Sequence, residues 1–143
     1  MLIKFSLIVI TAFITTFSLV QFIKKSMVGR DWAYPALLAS FPFFYFVFAL
    51  WINDKNALKN EFIAASFFFI IVALYLRYRS LWAEYLLIAG FFLHAFYDFA
   101  HDLFFINLGI PEWWGAFSGL VNIFIGFYLI LHLKKHQSLS RIG

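Results

Sequence analysis

Apolar residues run through this chain in blocks of about twenty, each closed by charge, and the blocks are its dominant pattern. They predict helices over 2–23, 32–52, 61–79, 81–106 and 112–133. The first ends at Lys24-Lys25, the third at Arg77-Tyr78-Arg79 and the fifth at Lys134-Lys135. Runs of that length between charges match the hydrocarbon thickness of a bilayer better than the core helices of a soluble domain. The expected fold class is all-α: one polytopic membrane domain over 1–143, a five-transmembrane-helix bundle.

The finer pattern distinguishes the blocks. Lys4 and the run after it have the look of a secretory leader, but the run is long for one and no A-x-A-like site precedes the lysines, so a retained helix is expected. Thr11, Thr15 and Ser18 recur at i, i+4 and i+7, a weakly polar stripe suited to helix packing. Pro35 falls in the first turn of the second block and Pro42 inside it, where a missing N–H kinks a helix. Residues 53–60, NDKNALKN, read as a short polar loop with a solvated Asp54. The centre of the third block, SFFFIIVALYL, has only the hydroxyls of Ser66 and Tyr75 and no charged group, and predicts a packing helix without chemistry. In the fifth, Gly115, Gly119, Asn122 and Gly126 fall near one face with Ser118 beside them, a small-residue seam expected to meet the fourth helix.

Composition adds weight rather than direction: 64% of the residues are hydrophobic, against about 45–50% in soluble domains. Cysteine is absent, which excludes disulfides, thiolate metal sites and a cysteine nucleophile. The net charge of +4 comes from basic residues beside the apolar runs. They act as topology determinants and contacts for membrane lipid rather than as a nucleic-acid footprint. With five spans, Lys24, Lys25, Arg30, Arg77, Arg79, Lys134, Lys135 and Arg141 share one side, and Lys4, Lys55 and Lys59 the other. The positive-inside rule then puts the N-terminus outside and the C-terminus in the cytoplasm of a cell membrane, as in a bacterial inner membrane. Trp32, Trp51, Trp82, Trp113 and Trp114 all fall at span ends, where indoles favour the interface. A homo-oligomer is compatible with the pattern.

Candidate chemistry is concentrated in 94–102, HAFYDFAHD. At 3.6 residues per turn His94, Asp98 and His101 span only about 60° of arc, and Asp102 widens it to about 100°. An ionisable stripe inside a span is costly and therefore faces the bundle interior with partners. Three readings fit it. In the first, His94, Asp98, His101 and Asp102 ligate a divalent metal, zinc foremost, since i, i+3 and i, i+4 pairs offer nitrogen and oxygen on one face. His94 and His101 are about 10.5 Å apart along the axis, so further ligands would come from water, Glu61, Glu112, Asn122 or a second subunit. In the second, a histidine held by an aspartate does acid–base or proton-relay chemistry without metal. In the third, the stripe is a structural network with Asn122, Ser118 and buried water. His132 and His136 read as interfacial, and Glu84 as a partner for Arg77 or Arg79.

His94-x3-Asp98-x2-His101-Asp102, followed by Pro111 and a last helix with Asn122 and Gly126, resembles a family of small bacterial multipass membrane proteins of unknown function. Their penultimate helix carries His-x3-Asp-x2-His-His; here Asp102 replaces the second adjacent histidine. The resemblance covers roughly the last 50 residues and implies a common site without naming a reaction. A fainter likeness to the alkaline-ceramidase superfamily implies intramembrane metal-dependent hydrolysis. The functional expectation is an outward-facing cavity between the fourth and fifth helices, metal-binding and hydrolysing a lipid or amphiphile, with Asp98 or Asp102 as ligand or base. The alternatives are a small transporter or accessory subunit using the stripe as an ion or proton path, and a scaffold.

Overall fold

A computed structural model describes residues 2–26 and 29–139. Five helices follow in order: α1 (Leu2–Lys25), α2 (Arg30–Trp51), α3 (Lys55–Tyr78), α4 (Leu81–Phe104) and α5 (Trp114–Leu139). No strand occurs among the described residues. α1, α2, α3 and α5 are each long and apolar enough to cross a membrane. α4 is as long as α3, but its histidines and acids lower its hydropathy, and His94, Asp98 and His101 face inward.

Packing order follows from which faces carry small or interlocking side chains. α4 packs most extensively on α5, α2 on α3 and α1 on α5, while α3 also lies along α4. The chain thus closes on itself, its first helix resting on its last. A Cβ on Gly115 would lie 2.6 Å from the carbonyl oxygen of Asp98, and one on Gly119 or Gly126 would enter the ring of Phe99 or Phe92. The seam on α5 therefore meets α4 and is filled, so the cavity expected between these two helices is replaced by direct backbone approach.

Large apolar side chains cover the outside, among them Phe13, Phe17, Phe43, Ile63, Phe67 and Phe96. The interior, otherwise apolar, holds a polar cluster: Glu61, His94, Asp98, His101, Asn107, Ser118 and Asn122 are all buried. Such placement suits a hydrocarbon surround, where polar groups find partners only inside.

Several sequence expectations need correction. α3 begins at Lys55, not Glu61, because Asp54 caps it, accepting from the backbone N–H groups of Asn56 and Ala57 at 2.9 Å each; the carboxylate is a helix cap. The stripe of Thr11 and Ser18 is exposed, and Thr11 bonds back to the carbonyls of Leu7 and Ile8; Ala12, Thr16 and Val20 form the inner face of α1. α2 continues through Pro35 and Pro42. Trp114, the first residue of α5, is buried against Phe44 and Phe48. Arg141 of the charge count lies outside the described residues.

The end of the bundle that carries Lys24, Arg79 and the start of α2 is tied by cations on rings. Lys24 sits over Tyr128 and Arg79 over Trp32, contacts that join α1 to α5 and the α3–α4 turn to α2.

Candidate functional site: two shared carboxylates

Each of two buried carboxylates collects a histidine, a tyrosine and an asparagine. The deeper is Asp98. Tyr45, from α2, donates its hydroxyl to Asp98 Oδ1 at 2.5 Å. Asn122, from α5, donates to Asp98 Oδ2 at 3.0 Å and to the Ser118 carbonyl at 3.0 Å. His94 Nδ1 lies 3.2 Å from the same Oδ2. The two hydrogens of the Asn122 amide are used by these bonds, so the 3.3 Å approach of its nitrogen to His94 Nδ1 is a contact. A His94 tautomer that donates Nδ1–H to this carboxylate has Nε2 as its unprotonated nitrogen. His94 Nε2 is buried with no hydrogen-bond partner among the described residues, within a wall formed by Phe41 and Phe68.

The second carboxylate is Glu61. Its Oε1 lies 2.9 Å from His101 Nε2 and accepts from Asn107 at 2.8 Å, while Oε2 accepts from Tyr97 at 2.7 Å. Glu61 is 2% exposed. It reaches the interior because α3 starts early and carries it more than one turn in. Asn107 arrives from the chain after α4, where Gly109 donates its N–H to Asn107 Oδ1. A side chain at Gly109 would overlap the carbonyl of Phe48, so glycine is what lets this turn fold against α2.

The two sets touch. The Tyr45 ring stacks on His101 at 5.0 Å and 11° and meets Tyr97 edge-on at 5.5 Å. Asn107, a donor to Glu61, also reaches the Tyr45 carbonyl at 3.4 Å. Buried polar groups are tolerated when hydrogen-bonded, and three proton-bearing side chains surround each carboxylate.

His101 differs from His94 in having an acid on each nitrogen. Its Nδ1 lies 3.4 Å from Asp102 Oδ1. The Asp102 side chain is 90% exposed, so the ring bridges the bundle surface and the buried Glu61. Both N–H groups of a doubly protonated ring would be satisfied there.

The sequence-derived site is thus partly redrawn. His94, Asp98, His101, Ser118 and Asn122 are buried together. Asp102 is at the surface, since its extra arc turns it off the inner face, and Glu112 is exposed. Glu61, one of two outer acids considered as supporting groups, is central. Tyr45, Tyr97 and Asn107 were not anticipated. A tyrosine among the phenylalanines of a span is the signal that marks the first two. The four ligands expected for zinc do not converge: Asp98 faces Tyr45 and Asn122, His101 faces Glu61, and Asp102 points outward. Among the described residues no group of three or more histidines and acids is arranged to hold a metal ion. No family model, curated protein or solved structure matches the chain.

Proposed function

We propose that this is a five-span protein of a bacterial cell membrane, N-terminus outside and C-terminus cytoplasmic, with a proton-transfer centre in its outer half that does acid–base chemistry on a lipid or amphiphile. The observation that carries the reading is that each buried carboxylate is shared by a histidine and a tyrosine, groups that give and take protons. In the Glu61 set a proton taken up at His101 Nδ1 beside Asp102 is matched by one released from Nε2 to Glu61, and the ring need not turn. Tyr97, on the other oxygen of Glu61, is the next group along. In the Asp98 set the bare Nε2 of His94 is the base.

A metal-dependent hydrolase would require a third ligand brought to one of the pairs, displacing tyrosine or asparagine. The reading of the same groups as a proton path is favoured by one feature, the exposed Asp102 at the end of the His101–Glu61 chain.

pH-difference infrared spectroscopy of the protein in nanodiscs tests the proposal between about pH 5 and about pH 8. A carboxyl or imidazole difference band that is lost in Glu61→Gln supports it; identical spectra across that range refute it. A reporter fused after Gly143 tests the orientation, which fails if the reporter is periplasmic.

A further inference from the structure

The geometry points to a binding groove between α3 and α4 for the hydrocarbon chain of a free fatty acid, its carboxylate held at the Asn60 end. The groove has a volume of about 420 Å³, within the range of small-molecule sites. Asn60, Ala64 and Phe67 lie along one face of α3 at i, i+4 and i+7, and the facing wall is made by Tyr97, Phe104 and Phe105. Tyr97 and Phe104 stack at 5.8 Å and 27°, a flat apolar surface. Ala64 is the smallest of the lining residues, and the hollow exists because a methyl group stands among aromatic rings.

Two features select the occupant. The groove's edges, Ile63, Phe67 and Phe104, are exposed and belong to the apolar surface of the bundle, so entry is sideways from the hydrocarbon of the bilayer. At its upper end the amide of Asn60 offers a hydrogen-bond donor, and Lys55 and Lys59, exposed and one turn apart on the same helix, supply positive charge for a carboxylate. The inner wall is Tyr97, whose hydroxyl is on Glu61, so a bound chain lies against the residue that joins the groove to the polar interior. The inference goes beyond the acid–base reading and does not rest on it.

The test uses the full-length protein in nanodiscs containing a palmitate analogue with a mid-chain diazirine, adducts being located by mass spectrometry after illumination. Adducts are expected to concentrate in 60–68 and 97–105 and to be suppressed there by excess unlabelled palmitate. They should be lost in Ala64→Phe, which fills the hollow, and kept in Ala73→Phe, at an exposed position of the same helix outside the groove. Labelling spread equally over exposed α1 residues such as Phe13 and Phe17, with no competition in the wild type, overturns the groove without reference to any variant's folding. Equal groove labelling by a cationic alkylamine analogue overturns the anionic head group. A phospholipid-borne diazirine that labels the groove as well as the free acid overturns the free acid as occupant. The readout is adduct position, so failure here leaves the proton-transfer reading untouched.

Discussion

Glu61 Oε1 and His101 Nε2 lie 2.9 Å apart, joining residues 40 positions distant on α3 and α4. The pair is buried on both sides, at 2% and 5% side-chain exposure, and it divides the two outer acids that sequence considerations left equivalent. Removing Glu61 strands His101 Nε2, Tyr97 Oη and the Asn107 amide. Leaving a buried polar group unsatisfied costs about 1–3 kcal/mol, so Glu61→Ala is expected to lower stability by at least that. Glu61→Gln, able to keep part of the bonding, should lose less, and Glu112→Ala nothing measurable. Thermal unfolding in one detergent checks the order of the three.

Tyr45 makes the shortest bond to Asp98, and its ring also stacks on His101. Tyr45→Phe keeps the ring and removes only the donor. A hydrogen bond to a charged group contributes about 1.5–3 kcal/mol, and a loss of that size is expected by thermal or denaturant unfolding. Tyr85→Phe, at an exposed position of α4, should match the wild type.

Glycines on one seam differ in what they face. Gly115 opposes the backbone of Asp98, which cannot move aside, whereas Gly119 opposes the ring of Phe99, which is exposed and can turn. Gly115→Ala should therefore cost about 1–3 kcal/mol, the usual penalty of overpacking, and disturb Asp98. Gly119→Ala should cost less. Unfolding of both variants, with the infrared carboxyl bands as a second readout, distinguishes them.

Asp102 offers a separation between stability and proton transfer. Its side chain is 90% exposed, and exposed ion pairs contribute little, so Asp102→Asn should unfold like the wild type. Proton exchange at His101 should slow, because the ring loses its acid on the outer side. Exchange broadening of the His101 imidazole N–H signals checks this.

Much of the fold is legible in the sequence because bilayer-length apolar runs have few other uses. The helix stripe is legible too: His94, Asp98 and His101 fall within a narrow arc, and all three are buried. Asp102 shows the limit of that reasoning, since another 40° or so of arc is enough to put a side chain in solvent. The start of α3 was obscured because its first turn is polar and resembles a loop, although an aspartate before a helix is a capping signal. With the helix begun too late, Glu61 read as a terminal acid instead of an internal one. Asn107 depends on a turn folding back under Phe48, a tertiary event that local sequence does not encode. Tyr45 and Tyr97 are inconspicuous among 22 phenylalanines, and only their hydroxyls distinguish them.

The two histidines differ in the acids beside them, one for His94 and two for His101, and are expected to hold protons differently. Nitrogen-15 spectra of histidine-labelled protein in nanodiscs, assigned with His94→Gln and His101→Gln, test it most directly. The expected His94 ring is protonated at Nδ1 with a bare Nε2. The expected His101 ring carries protons on both nitrogens and loses one in Glu61→Gln. A His94 ring protonated at Nε2, or a His101 ring with one bare nitrogen and no response to Glu61→Gln, would contradict it.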